Sequence, residues 1–326
     1  MVVRAVDAIE RKRREKKALL KEDIRRSEIA AQKTKLCEAL GTSEAEFDKI
    51  KIEYTSHWIP KRTGGRRKLD IPSDGLKQLQ KKILHKLVYR EKTHPFSYGF
   101  RKRKSIVDNA RPHCNSAVVI KLDIKDFFPS IKKDQVRAVF QNFSWDRELS
   151  DRLSELCCWQ GVLPQGAPTS PALSNIILKP IDDSLSHLAL RNGAVYTRYA
   201  DDITYSLNSD DSKKIGVLIK VTQSELAKLG FKLNFKKGKI RVLRRHQHQE
   251  ICGITVNTQK PTLSRKKRRL IRAAKHRLDN GLYATMTIEQ IEGWENFNRM
   301  VDAEHSHIQQ AYLARPHQSS AADSPT

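Results

Sequence analysis

At 326 residues the chain exceeds one typical domain and falls short of three, and its 38% apolar content is low but sufficient for a core. Its 62 Lys and Arg against 37 Asp and Glu leave a formal net charge of +25, which points to a polyanion whose phosphates release counterions to basic side chains; a highly charged soluble protein with no nucleic-acid role is the alternative. Five cysteines without a CxxC (Cys37, Cys114, Cys157, Cys158, Cys252), a charged start (RAVDAIERKRREKK) and no bilayer-length apolar run speak against a disulfide framework, a signal peptide and a membrane span, so a cytoplasmic protein with reduced thiols is expected.

Residues 3–40 lack Pro and Gly and are rich in Arg, Lys, Glu, Ala and Leu, which predicts a basic helical extension over 1–45 with a weak core face. Gly41-Thr42-Ser43 closes it, and Ser43 with Glu46 has capping-box spacing for the next helix. Residues 56–75 are basic and turn-rich, with Gly64-Gly65 as a hairpin tip carrying Arg66 and Arg67. A helix over 76–89 then gathers Leu76, Leu79, Ile83, Leu84 and Leu87 on one face.

Strands are expected between 94 and 257. The first is Ala117–Leu122, an apolar run ending in Asp123-Ile124-Lys125-Asp126-Phe127-Phe128. Next, Leu163-Pro164-Gln165-Gly166-Ala167-Pro168-Thr169-Ser170-Pro171 forms a polar loop opening a helix, with Gly166 permitting close backbone approach. Leu173, Ile176, Ile177 and Ile181 supply that helix's apolar face, and Pro180 is expected to kink it. Two β-branched and aromatic runs, Val195–Tyr199 and Ile203–Ser206, flank Asp201-Asp202, so the chain reads as strand, tight acidic connection, strand. After Asn257, eight Lys or Arg fall between Arg265 and Arg277 with no acid. Leu270, Ile271 and Ala273 are taken as the packing face of that helix. A helix over about 287–301 carries Ile288, Ile291, Trp294, Phe297 and Met300, and the tail from Pro316 has the composition of disorder.

An Asp-Asp pair also stands at Asp210-Asp211, before a helical stretch, where it serves as a helix cap. Asp201-Asp202 has no such excuse, because hairpin tips favour Asn-Gly or Asp-Gly and local rules that fail tend to mark function. Asp123, at the end of a core strand, is costly to bury without compensation. Brought together by one sheet, the three carboxylates would raise one another's pKa values unless a divalent metal neutralised them. Hard oxygen ligands favour magnesium or manganese, and two such ions about 4 Å apart serve phosphoryl transfer. His246, His248 and Cys252 invite a zinc reading, but no fourth ligand has suitable spacing.

In this order and spacing, these elements resemble the palm of a reverse transcriptase over about residues 55–300. Tyr199-Ala200-Asp201-Asp202 matches the family's Y-x-D-D hairpin, Asp123 its first metal-binding aspartate, and LPQGAPTSP its nucleotide-pocket motif. Asn109-Ala110-Arg111-Pro112-His113 matches the N-A-x-x-H signature of bacterial retron reverse transcriptases; Ser97-Tyr98-Gly99-Phe100 and Gly293-Trp294 are similar too. The family's usual V-T-G corresponds here to Ile251-Cys252-Gly253, which keeps only the glycine.

The resemblance implies an α+β right-hand polymerase fold: fingers and palm over 46–257, with an antiparallel sheet carrying the YADD hairpin, and a short helical thumb over 258–315. A disordered tail, 316–326, would follow. Asp123, Asp201, Asp202 and the backbone carbonyl of Ile124 would hold two Mg2+ ions, with Mn2+ as a substitute. Arg67, Asp126, Phe127, Gln165, Gly166 and Lys237 would surround the nucleotide, and Phe128 would exclude a ribose 2′-hydroxyl. Asn109 and His113 would contact RNA, or form an ordinary loop hydrogen-bond pair. Arg265, Lys266, Arg268, Arg269 and Arg272 would grip duplex backbone, or remain solvated charge, as Lys236 and Lys237 also could.

The implied activity is RNA-directed DNA synthesis on a cognate structured non-coding RNA (msr-msd), primed by a guanosine 2′-hydroxyl and giving branched msDNA from dNTPs in anti-phage defence. No nuclease, RNase H or effector motif stands in the chain, so a separately encoded effector and host RNase H are expected partners, and no membrane. The alternatives are a group II intron-type reverse transcriptase and a catalytically silent RNA-binding scaffold.

Overall fold

In chain order, the computed structural model begins with α1 (Val2–Leu40), α2 (Glu44–Lys49), β1 (Tyr54–Pro60), β2 (Arg66–Pro72) and α3 (Asp74–Lys86). The middle holds α4 (Ile106–Ala110), β3 (Val118–Asp123), α5 (Phe127–Ser130), α6 (Lys133–Asn142), α7 (Arg147–Cys157), α8 (Ser170–Ile177) and α9 (Lys179–Arg191). Then come β4 (Ala194–Tyr199), β5 (Asp202–Leu207), α10 (Ser212–Lys228), β6 (Arg241–Arg244), β7 (Glu250–Ile251), β8 (Ile254–Thr255), α11 (Arg265–Asp279) and α12 (Ile288–Asp302). The structure describes residues 2–61 and 64–303, with side chains from residue 16 onward except residue 18. The tail expected at 316–326 lies outside the described residues. Helices and antiparallel strands are both present, which makes the fold α+β, as expected.

One antiparallel sheet in the order β4-β5-β3-β6 organises the middle of the chain. Period-2 alternation gives it two different faces. Val118, Ile120 and Leu122 of β3 join Tyr196 of β4 and Ile203, Tyr205 and Leu207 of β5 in the main core. That face packs on α9 and α10, where Tyr205 shares a hydroxyl hydrogen bond with Thr222 at 2.8 Å. Val119 points the other way, into a second cluster with Val107, Ala110, Ile251, Ile254, Ile271 and Val301. Asp123 and Asp202 belong to this second face by the same alternation.

Helix ends follow local chemistry, with two refinements. Ser43 accepts from the Glu46 amide at 3.1 Å, but the Glu46 carboxylate bonds the Thr42 hydroxyl at 2.6 Å, so the capping box is only half formed. Pro180 does not kink a continuous helix. Instead α8 stops at Ile177 and Pro180 lies in the first turn of α9, where a missing N–H costs nothing.

The α11 packing face differs by one register step from the expected one. Ile271 and Ala274 are buried, Leu270 is 45% exposed and Ala273 is solvent-facing. Spacing of three to four residues from Ile271 selects 267, 274 and 278 as neighbours on that face, and Lys267 lies over the Trp294 ring at 3.7 Å. Arg265, Lys266, Arg268, Arg269 and Arg272 consequently point to solvent.

β1 and β2 form a separate antiparallel ribbon, from Tyr54 opposite Pro72 to Pro60 opposite Arg66, with Gly64 and Gly65 at its tip in positive φ. The ribbon reaches the middle of the molecule through the Asp70 amide, which donates to the Gln165 carbonyl at 2.8 Å. A Cβ on Gly166 would stand 2.5 Å from the Asp70 carbonyl oxygen, and φ there is +135°. Gly166→Ala is therefore expected to lift the ribbon off the 163–170 loop and cost about 1–3 kcal/mol in urea unfolding; an unchanged midpoint would show that the contact is dispensable.

Candidate active site

Strand register assembles the acidic residues. Asp123 pairs with Asp202 across β3 and β5, and Asp202 pairs with Tyr199 across β5 and β4. The tip of the β4–β5 hairpin is Ala200-Asp201, not Asp201-Asp202, so the turn splits the acidic pair. Asp201 sits at the tip and Asp202 is the first residue of β5.

The strained tip position is Ala200, whose φ is +58°. Three contacts hold it there. A Cβ on Gly99 would lie 2.5 Å from the Ala200 nitrogen, so only glycine lets the 97–100 segment press against the turn. That segment is itself bound to β4, with the Tyr98 amide donating to the Arg198 carbonyl at 2.8 Å and the Arg198 amide to the Phe96 carbonyl at 2.9 Å. On the other side, the Ile124 amide donates to the Asp201 carbonyl at 2.9 Å.

The third contact comes from Arg198, a residue the sequence reading passes over. Its side chain is fully buried, and all five guanidinium donors are used. Nε and Nη2 clamp the two Asp182 oxygens at 2.7 and 2.6 Å, Nη2 also reaches Ser97 Oγ at 3.0 Å, and Nη1 reaches Asn175 Oδ1 at 3.2 Å and the Ala200 carbonyl at 3.0 Å. Tyr196 adds a hydroxyl donor to Asp182 at 2.6 Å, and Asn175 donates to the Gly99 carbonyl at 2.8 Å. A signal existed: an arginine two residues after Tyr196 in a strand must share that residue's buried face, and the preceding helix offers two acids, Asp182 and Asp183, of which Asp182 is the buried one. Breaking a buried pair leaves an uncompensated charge, so Asp182→Ala is expected to cost about 3–5 kcal/mol in denaturant unfolding; a loss below about 1 kcal/mol would mean that the pair is solvated.

The carboxylates meet cations unequally. Lys239 Nζ binds Asp123 Oδ1, and Asn234 Nδ2 donates to Asp123 Oδ2 at 2.9 Å. Burial, then Asp202 and Asp123, push Asp201 up to about 6. Burial also raises Asp202, with Asp123 adding to it and Lys121 and Lys239 opposing. The lysine in contact is thus Lys239, while Lys236 and Lys237 are exposed on the same loop. Lys237, expected beside the nucleotide, precedes Lys239 by two residues, and the chain turns between them through Gly238 at φ +82°.

The other expected residues separate into near and far. Asp126, at φ +46°, is exposed at the start of α5; Phe127 is buried beneath it, and Phe128 stands 5.1 Å from the Phe127 ring and 6.0 Å from that of Phe100. Gln165 is half-buried, Gly166 is exposed but backed by Asp70, and Arg67 projects from β2 into solvent. Asn109 and His113 do not present themselves to RNA. They are 1% and 0% exposed, and His113 bonds Ser206 and Thr197, one on each strand of the hairpin, at 2.8 Å each. Burial pushes His113 down to about 3, so it works as a neutral bridge. Cys252, in the place of the usual threonine, receives the Asn109 amide at 3.6 Å.

Among the described residues, no three His, Cys, Asp or Glu side chains stand in a chelating arrangement. The donors nevertheless fit a hard divalent cation: they are carboxylates, buried against one another, and one already recruits an ammonium group. Folding raises the Asp201 pKa, so the folded state holds that proton more tightly than the unfolded one. Its charge therefore destabilises the fold above about pH 6, and the cost fades as pH falls towards 4. In EDTA at pH 7.5, Asp201→Asn is expected to stabilise the protein by about 1–2 kcal/mol, with the gain shrinking by pH 5; thermal unfolding of the two proteins at both pH values measures it.

Residues 59–269 match the family model described as reverse transcriptase (RNA-dependent DNA polymerase). The chain is 34% identical over 254 residues to the retron Ec86 reverse transcriptase of Escherichia coli, covering 77% of this chain and 78% of that protein. It is 37% identical over 241 residues to the retron Mx65 reverse transcriptase of Myxococcus xanthus, covering 68% of this chain but only 55% of that one. The retron Ec83 reverse transcriptase of Escherichia coli is 28% identical over 256 residues, covering 75% and 81%.

Proposed function

The chain belongs to the reverse transcriptase family, among the retron reverse transcriptases of bacteria, and from that premise we propose that it copies one cognate structured RNA into branched msDNA. The observation that carries the reading is the register that sets Asp123 beside Asp202 with Asp201 at the adjoining tip. The sheet is the palm, with fingers and palm over 46–257, and the α11–α12 pair is the thumb; the part of the thumb expected over 304–315 lies outside the described residues. Asp123, Asp201, Asp202 and the Ile124 carbonyl would hold two Mg2+ ions, with Mn2+ also suited to the same oxygens. Ions held there would lower the pKa of the attacking hydroxyl and balance charge on the leaving pyrophosphate.

The protein's own residues do the rest. Ala200, fixed by Gly99 and Arg198, keeps Asp201 beside the nucleotide. Lys237 supplies a cation for charge gathering on the triphosphate, a role shared with Arg67 on the ribbon and with Lys239, already on Asp123. Asp126 and Phe127 offer backbone amides to the phosphates, and Gln165 faces the nucleotide from the loop that the ribbon covers. Phe128, backed by Phe127 and Phe100, blocks a ribose 2′-hydroxyl and selects dNTPs. The exposed basic face of α11 follows the duplex backbone. The RNA would be the msr-msd transcript, primed from a guanosine 2′-hydroxyl, with a separate effector and host RNase H completing an anti-phage system. No helix among the described residues is long and apolar enough to cross a membrane.

Two measurements test this. Primer extension by the Asp201→Ala, Asp202→Ala variant is expected to fall at least about a hundredfold, and unchanged synthesis would sink the assignment of the aspartates. Sequencing of co-purified nucleic acid is expected to return one RNA joined to DNA through a branch; a diverse RNA pool without one would overturn the retron reading.

A further inference from the structure

Residues 109–113 send three side chains, at alternate positions, to three separate parts of the molecule. Asn109 donates to Cys252 at the tip of the β7–β8 hairpin, at 3.6 Å. His113 bridges Thr197 and Ser206 on the strands of the catalytic hairpin. Between them, Arg111 Nη2 donates to the Ala303 carbonyl at 2.8 Å, where α12 ends. The same parts meet in the second apolar cluster, which draws Val107 and Ala110 from α4, Val119 from the sheet, Ile251 and Ile254 from the β7–β8 hairpin, and Ile271 and Val301 from α11 and α12. Segment 109–113 is thus the polar fastening of a core shared by the sheet and the C-terminal helices.

Arg111 suits that position for electrostatic reasons. A helix C-terminus carries partial negative charge and leaves carbonyls unsatisfied, and a guanidinium answers both. Its Nε is buried without a hydrogen-bond partner, so part of its donor capacity has been given up to reach the helix end. The elements around the expected nucleotide pocket, β2, the 126–128 turn and the 163–166 loop, lie outside this cluster.

We propose that Arg111 is a positioning residue for the nucleic-acid duplex: through α12 it fixes the basic face of α11 at a set distance from Asp123, Asp201 and Asp202. It touches no substrate, and the inference rests on the polymerase reading above. Losing the tether loosens the duplex grip and shortens the products while leaving the nucleotide site intact.

The test compares wild type with Arg111→Ala, Arg111→Gln and Arg111→Lys on a labelled RNA template–DNA primer duplex. Duplex affinity is read by fluorescence anisotropy, which requires no turnover. Extension past a heparin trap gives product length and the dNTP KM. Arg111→Ala is expected to weaken duplex binding roughly tenfold, the loss of one charge-assisted hydrogen bond, with dNTP KM within about twofold of wild type. Products past the trap shorten, and Arg111→Lys restores most of the affinity because an ammonium can reach the same carbonyl. Should Arg111→Ala fail to fold, the Lys and Gln variants decide: Lys near wild type with Gln weaker supports the tether, and equal affinities overturn it. A raised dNTP KM with unchanged duplex affinity also overturns it. Wild type that binds duplex but does not extend it counts against the polymerase reading and leaves the anisotropy comparison to judge Arg111.

Discussion

The buried pair between Arg198 and Asp182 is the contact on which the rest of the centre depends. A charged guanidinium in a protein core is tolerable only if every donor finds an acceptor, and here one carboxylate, one amide, one hydroxyl and one main-chain carbonyl complete the set. The main-chain acceptor belongs to Ala200, the residue forced into positive φ at the hairpin tip. Asp182 comes from α9, Asn175 from α8 and Ser97 from the segment that presses on the turn. The pair therefore ties three separate stretches of chain to one strained residue, beside which Asp201 projects.

Against that rigid back, the front of the hairpin is electrostatically unsatisfied. Three aspartates meet at one end of the two central strands, with burial and mutual repulsion raising Asp201 and Asp202. Lys239 and Asn234 occupy both oxygens of Asp123. A centre strained by like charge and partly relieved by a half-exposed lysine is suited to receive cations, since the folding free energy lost to repulsion returns as binding free energy when a cation arrives. Further along the same face, away from the turn, the strands are neutral and closed, with His113 bridging Thr197 and Ser206 in place of solvent.

Much of this was legible from the residues. Asp123, Asp201 and Asp202 stand out because each breaks a local rule for its position, and the sheet, the Gly64-Gly65 ribbon tip and the helix faces follow from periodicity and turn chemistry. The misreadings have a common origin. Asn109 and His113 look like polar loop residues, and only packing shows them sealed beneath the sheet. Lys237 and Lys239 cannot be ranked by spacing alone, because the Gly238 turn decides which one folds back. The α11 packing face was misplaced because Leu270, Ala273 and Ala274 all lie within a turn of Ile271, and burial selects Ile271 and Ala274 while leaving Leu270 and Ala273 in solvent.

The sequence by itself determined the chemistry: a basic chain, three carboxylates at the ends of β-rich runs, and a glycine-bearing loop before a helix. These are properties of residue types and near neighbours, which one-dimensional spacing carries. Only the tertiary structure decided that the turn splits the acidic pair, that Arg198 and Asp182 hold its strained half, and that Lys239 faces Asp123. Each of those depends on residues distant in the chain meeting in space, and for Arg198 and Asp182 the meeting is in a buried volume, where desolvation makes every unpaired charge costly and so selects the arrangement that pairs them.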